Sequence, residues 1–594
     1  MVASTQRPVR WGETVAVPLI REPPEQMYVV VTEEVLGLPV SDRAALVALV
    51  AALPVELAMI LVSRLQGELV HIRTDAQAQL DLAAVIYEDV ALVNAIAAFL
   101  NGGPRRIVFS EQNLTALQRL LVLRARDDAG LDAIAPADIA RAKRALLAAP
   151  SVVEAAESRL RDEAQATEDA AWAYTMQNGA YNNTEPPLNR LVRTYLQFVE
   201  IFEQSRDHRD FCPLDEWFTA DYGLSVVEQY AAGWGLHAAS RVLDETRNLD
   251  GRGVVDPPTN SGLFRDKGEA IEALMIGTRA WYAERFAALG DDDRALAWER
   301  TPFMRRPFLG YSDGRWRLLL PGALDNWLSD GFYHRALQAA QTRDREQQNA
   351  RSETTLRFTR YFGHLVEQYV LKLAQSVYES VDGVNVSGER RYTARGSEML
   401  TSDVALVAGN DLVLIEVVSA RLSREMQVDG DPVLLATAVE RMVLKKARQL
   451  ARVARDVVGG SAVIPGVDVA QLERTWPIVV TAGGTLFQSG LLWDHIETAV
   501  PAAVGEPPLQ PLTLFDLEDL ETALGHVALG YSLPDLLAQK TGGPYRRREF
   551  VLFQHDVLAT PNTTRPALLE ERWADLGPLL AETLRLDPEE PSAH

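Results

Sequence analysis

The chain of 594 residues has almost no cysteine: Cys212 stands alone. A single thiol excludes an intramolecular disulfide and any zinc site built on paired cysteines, and it agrees with a reducing cytoplasm. Histidine is also scarce. His208 and His237 have no partner at ligand spacing, so both read as surface or core histidines. Several short signatures are missing. There is no G-x-x-x-x-G-K-[ST], no G-x-S-x-G and no H-E-x-x-H, which argues against a P-loop ATPase, a nucleophile-elbow hydrolase and a zinc protease. No long apolar run occurs either. The nearest, Ala44 to Val62, is interrupted by Pro54 and Glu56 and predicts two buried helices rather than a membrane span. The opening MVASTQRPVRWGE lacks the apolar core of a signal peptide, which adds to the expectation of a cytoplasmic protein. No repeat of solenoid length is visible.

Positive charge is the minority sign, with 59 Lys and Arg against 82 Asp and Glu and a net charge of −23. Such a chain repels phosphate backbones in general and is not one that nucleic acid coats. The imbalance is uneven. Thr354 to Arg455 carries 14 basic against 12 acidic residues, so this stretch is the least acidic part of the chain. The length is too great for one core. Punctuation suggests a mainly helical domain over 1–178 with a short β lead-in, and a second helical domain over 179–350 ending in a hairpin. An α/β core over 351–500 and a C-terminal α/β extension over 501–594 with a disordered tail follow. Ser41-Asp42 caps the first helix, Pro136 and Pro150 punctuate the helices, and QNGAYNNTEPPL at 177–188 marks a boundary. Asp313-Gly314 turns between strands Pro307–Tyr311 and Arg315–Leu320, where Arg305, Arg306, Arg315 and Arg317 read as a solvated edge in preference to a phosphate contact. Tyr545 to Arg548 is a local basic cluster with the same two readings.

The chain is organised around Glu398 to Arg424, EMLTSDVALVAGNDLVLIEVVSARLSR. Two β-branched runs flank Gly409-Asn410 and predict a hairpin buried on both faces. Two acids break the apolar pattern, Asp403 and Glu416. Their numbers have the same sum as 409 and 410, so a hairpin turning there sets them opposite each other. A carboxylate in such a strand is costly unless it is paired or metal-bound. Paired carboxylates suit Mg²⁺ or Mn²⁺, and an ion pair with Arg421, Lys445 or Lys446 is the alternative.

Asp, a short hairpin and Glu-Val-Val resemble the core of the PD-(D/E)XK nuclease superfamily, the restriction-endonuclease-like fold. Ser402-Asp403 matches the first half of the motif and Glu416-Val417-Val418 the second, with Val418 where the family usually has lysine. Upstream, FTRYFGHLVEQYVLKLAQSVYE predicts a helix with Phe362, Val366, Tyr369, Leu373 and Val377 on one face, and Gly363-x-x-x-Glu367 is similar to a family helix whose acid joins the metal site. Downstream, AVERMVLKKARQLARVAR predicts a second helix with Val439, Val443, Ala447 and Leu450 buried, and its Lys446 and Gln449 match positions that face the site in related nucleases. Strand 476–480 completes the order. The resemblance covers about a quarter of the chain. It implies an α/β multidomain protein, a predominantly helical N-terminal half followed by a mixed sheet flanked by helices. It also implies hydrolysis of DNA or RNA phosphodiesters, with Asp403, Glu416 and Glu367 as Mg²⁺ or Mn²⁺ ligands and Lys446 or Lys445 replacing the missing lysine. Gln449 and Arg421 are supporting residues, and defence against foreign nucleic acid is the implied setting. A nuclease-like scaffold without catalysis, binding nucleic acid or protein, is the alternative that Val418 raises.

Overall fold

The structure is a computed structural model. It describes residues 29–72, 75–103, 106–127, 135–164, 187–245, 254–255, 261–311, 314–347, 351–379, 381–421, 431–483, 493, 496, 509–558 and 565–586. The strand expected near Trp11 to Leu19 and the C-terminal tail lie outside them. The protein is an α/β chain that separates into two compact units, and each is built from distant stretches of sequence. One comprises Glu25–Thr167, Pro213–Ala339 and Pro578–His594, and the other takes in Glu168–Cys212 and Ala340–Gly577. This differs from the four consecutive domains the punctuation suggests.

The first of these units is mainly helical. Helices Arg43–Ala51, Val55–Ile72, Glu111–Arg124 and Pro136–Ala164 close around Leu46, Val50, Met59, Leu121, Ala145 and Val153. Asp42 caps the first of them, its carboxylate accepting from the Ala45 amide at 2.7 Å. Ala44–Val62 forms parts of two helices as expected, and among the described residues no helix is long and apolar enough to cross a membrane. Pro136 opens the last helix, but Pro150 lies inside it and does not end it. Strands Phe308–Gly310 and Trp316–Leu318 form the expected antiparallel hairpin. Its arginines divide: Arg305 is exposed, as a solvated edge requires, and Arg315 is half-buried, but the other two turn inward. Arg317 is fully buried and donates to the Ile60 carbonyl, and Arg306 donates to the Ile276 carbonyl and lies over the Trp281 ring.

The second unit holds the sheet. After helix α1 (Glu353–Tyr378) come β1 (Val384–Gly388), a hairpin of β2 (Arg391–Ala394) and β3 (Ser397–Leu400), then β4 (Val404–Ala408) and β5 (Asp411–Val418). Helices α2 (Pro432–Val439) and α3 (Lys445–Val458) follow, joined through a wide π-type turn at Glu440–Leu444. Then come β6 (Arg474–Thr481), β7 (Thr513–Asp516) and α4 (Leu517–Ala528). The order β7-β6-β5-β4-β1 makes a five-stranded mixed sheet, antiparallel at β1, β4 and β5 and parallel from β5 to β7. Every residue of β5 is buried, as a strand covered on both faces requires. On one face Ala405, Val407, Leu412, Leu414 and Val418 pack against Val439, Val443, Ala447 and Leu450, the stripe the 3.6-residue spacing predicts. Helix α1 packs on β1, β4 and β5, and the alternation of strand side chains gives it the other face.

Three expected boundaries fall inside this unit. β7 pairs in parallel with β6, Ile478 opposite Thr513, so the stretch after 500 completes the sheet and is no separate extension. Asp516 ends β7 and caps α4 through the Asp519 amide, as its sequence suggests. Upstream of the sheet, Arg193 pairs with Glu521 at 3.3 Å and the Phe198 ring stacks on Phe362 at 5.7 Å, so the residues before 212 belong here. The break at 350 is bridged as well: the Asp344 carboxylate accepts from the Thr354 and Thr355 amides, both at 2.9 Å. The basic cluster at 545–548 is a half-buried 3-10 turn and not a solvated loop.

Candidate functional site

Gly409 takes φ +60°, the left-handed conformation glycine adopts without a Cβ penalty, and closes the β4–β5 hairpin. The register then runs from Ala408 opposite Asp411 to Val404 opposite Ile415. One step further sets Asp403 opposite Glu416, as the sequence sum requires. The same step applied to the β4–β1 ladder, where Val404 pairs with Gly388, sets Glu389 opposite Asp403. Three acids therefore stand side by side across three neighbouring strands, and opposed residues share a face. That face is the one α3 covers, since Ala405, Leu414 and Val418 pack there.

Glu416 is completely buried. Lys446 donates to its Oε2 at 2.6 Å and Gln449 Nε2 donates to its Oε1. The two donors lie at i and i+3 on α3 and reach the same carboxylate because one face of a helix presents both. Asp403 Oδ2 accepts from the Val417 amide at 2.7 Å, and Lys446 Nζ lies 3.9 Å from it.

The fourth acid comes from α1. A Cβ at Gly363 would sit 3.3 Å from Ser419 Oγ, so glycine lets this helix approach the end of β5 closely. One turn later Glu367 is half-buried and shares the field of Asp403, Lys446 and Glu389. Burial, then the Asp403 charge, push its carboxyl up to about 7. Burial and Asp403 likewise push Glu416 up to about 8, and burial raises Asp403. Glu389 is raised by burial and by Asp403. Burial works to lower the Lys446 ammonium, but Glu416 and Asp403 more than offset it, and it stays above its ordinary range.

The remaining expected residues divide. Lys446 and Gln449 reach the acids. Lys445 does not: it is exposed and lines a surface groove with Arg448 and Arg452. One residue of helix turns a side chain by about 100°, so neighbouring lysines cannot both face the sheet. The Arg421 guanidinium lies 5.5 Å above the Phe362 ring. Val418 is buried in the apolar cluster beneath α3. Ser402 Oγ is spent on the Val404 carbonyl. Glu389 was not legible in the sequence, because the β1–β4 register is set across a long connection and not by a tight turn.

The donor set is oxygen-rich and hard, the kind that Mg²⁺ or Mn²⁺ prefers over softer ions. Among the described residues no three His, Cys, Asp or Glu side chains already converge at ligand spacing. In this arrangement Lys446 and Gln449 occupy both oxygens of Glu416. The residues fit a hard cation by charge and chemistry, with the Lys446 ammonium standing where its positive charge would be. Searches of protein-family models, of curated proteins and of solved structures find no match to this chain.

Proposed function

We propose that this chain is a divalent-cation-dependent phosphodiesterase of the restriction-endonuclease-like type, acting on DNA or RNA, with Asp403, Glu416, Glu367 and Lys446 as its working residues. Defence against foreign nucleic acid is the setting its resemblance implies. The observation that carries the reading is a charge surplus. Four carboxyls, Glu367, Glu389, Asp403 and Glu416, share the field of the Lys446 ammonium, with Arg391 acting besides on the exposed Glu389, and all four are held above their ordinary range. An ion pair alone needs one acid. Two of the four, Asp403 and Glu416, are buried, and a like-charge cluster with shifted titration marks a functional-site candidate.

A bound Mg²⁺ or Mn²⁺ supplies Lewis-acid polarisation of the phosphoryl oxygens. Asp403 and Glu416 would hold the cation. Released from Glu416, the Lys446 ammonium is free to donate to a phosphoryl oxygen as negative charge grows there. Glu367, with a carboxyl titrating about 7, takes the proton of the attacking water. The water oxygen bonds to phosphorus, the bond to one ester oxygen breaks, and that oxygen leaves with the electron pair.

Calorimetry with Mg²⁺ and Mn²⁺, beside cleavage of labelled single-stranded and duplex DNA and RNA, tests this. Wild type should bind and cut, and Asp403→Asn and Glu416→Gln should do neither while remaining folded by circular dichroism. A second reading rests on Lys446 and Gln449 filling Glu416: a nuclease-like clamp without chemistry. Wild type that binds nucleic acid but neither takes a cation nor cuts decides for the clamp and against the hydrolase.

A further inference from the structure

Helix α3 carries a second feature on a different face. From Lys445 to Arg455 the sequence KKARQLARVAR has five basic residues and no acid, on a chain of net charge −23. Lys446 turns to the acid cluster. Lys445, Arg448, Arg452 and Arg455 recur at i, i+3, i+7 and i+10 and form one wall of a groove. The β2–β3 hairpin forms the other wall. Its turn is Arg395-Gly396, both at positive φ (+52° and +77°), which holds Arg395 at the hairpin tip. Arg452 donates to the Leu400 carbonyl at 3.3 Å and fastens the hairpin to the helix.

Charge in the groove is largely uncompensated. Among the described residues Arg395, Lys445, Arg452 and Arg455 have no carboxylate within ion-pair distance, while Arg448 is engaged by Glu440. The one acid lining the groove, Asp456, accepts the Tyr392 hydroxyl at 2.7 Å. The basic row spans about 15 Å at the helical rise, room for about four phosphates of one strand. The groove also meets the acid cluster through one side chain: Gln449 lines the groove and donates to Glu416. A polyanion lying along α3 is thereby led to the carboxylates, and the ligand that presents regularly spaced anions together with a bond for that cluster to break is a polynucleotide.

We infer that the groove between α3 and the β2–β3 hairpin is a polynucleotide-backbone site that tracks one strand through Arg395, Lys445, Arg452 and Arg455 and delivers a phosphodiester past Gln449 to the acid cluster. The delivery half rests on the hydrolase reading, but backbone binding does not. The contacts are to phosphate, so binding is indifferent to base sequence.

Fluorescence anisotropy tests it, with labelled single-stranded and duplex oligonucleotides, EDTA present and a salt series. Wild type should bind both kinds, and the salt slope should report the phosphates engaged. Lys445→Ala/Arg455→Ala, two exposed or half-exposed changes that leave the Arg452–Leu400 bond intact, should weaken binding by about tenfold and lower the slope by about two. Arg206→Ala/Arg209→Ala, which removes two exposed arginines of the same unit, should bind like wild type. The inference is overturned if the groove variant matches wild type, if wild type does not bind at low salt, or if polyglutamate displaces the oligonucleotide at equal charge. Binding through the groove without cleavage in Mg²⁺ leaves the backbone site standing and overturns the hydrolase and, with it, the delivery half. Cleavage with an unchanged KM in the groove variant does the reverse.

Discussion

At Val418 and Lys446 one position loses a charge and another supplies it. Val418 lies on the same face of β5 as Glu416, but among Leu414, Val439 and Val443. A lysine there would have to carry its ammonium into apolar packing. Val418→Lys is therefore expected to destabilise the protein by at least about 2 kcal/mol and to restore no activity to Lys446→Ala. Lys446→Ala itself should lower single-turnover cleavage by roughly a hundredfold or more, the loss typical of one donor to a developing oxyanion. Its fold should survive, because Glu416, with a carboxyl pushed up to about 8, can stay neutral without the ammonium. Unchanged cleavage by Lys446→Ala would remove the lysine from the mechanism. Asp403 and Glu416 were readable from sequence because a tight turn at Gly409 fixes register by counting. The Lys446–Glu416 contact was readable as a choice among three cations, and only tertiary packing selected one. The assignment of Lys445 failed for the same reason, since its sequence neighbourhood is nearly that of Lys446.

The elements of the sheet unit were mostly legible, because long buried strands and amphipathic helices leave strong periodic patterns. Helix α1, the hairpin, β6 and the β7-to-α4 junction all follow from alternation, 3.6-residue spacing or an Asp cap. The π-type turn at Glu440–Leu444 was not, because one extra residue in a turn leaves little trace in a periodic pattern. Nor was the buried network that joins three helices. Tyr369 of α1 donates to Glu521 of α4 at 2.6 Å, and Arg193 of helix Pro187–Tyr195 pairs with the same carboxylate oxygen at 3.3 Å. All three residues are buried. Arg193→Met leaves Glu521 without its cation and should cost about 3 kcal/mol in urea unfolding. Adding Glu521→Gln, which keeps an acceptor for the Tyr369 hydroxyl, should recover most of that loss. If the double variant is no more stable than Arg193→Met, the guanidinium contributes by packing and not by charge.

At the scale of the whole molecule, the turn-rich stretches near 177–188 and 350 lie a short way beyond places where the chain passes between units, at Thr167/Glu168 and Ala339/Ala340, but punctuation does not show that each unit collects segments far apart in sequence. Charge is the whole-molecule property that the sequence states outright, and it meets the acid cluster in the dependence of stability on pH. Glu416 moves from an ordinary 4.5 to about 8 on folding and Glu367 to about 7. Between those values the folded chain keeps protons that the unfolded chain has released, so folding takes up protons and stability falls as pH rises. Lys446 works in the same sense, but only at alkaline pH, where its raised ammonium would begin to titrate. Without divalent ions, Tm should decline from pH about 5 to about 8. A cation replaces the retained protons, so the rise in Tm on adding Mg²⁺ should be small at the acidic end of that range and grow toward the alkaline end. Self-repulsion in a chain of net charge −23 also lowers stability with pH, but it is spread over the surface. Glu416→Gln separates the two contributions: it should flatten the decline and abolish the growth of the Mg²⁺ effect. A Mg²⁺ shift equal at all pH values, or unchanged in Glu416→Gln, would place the cation elsewhere than on these carboxylates.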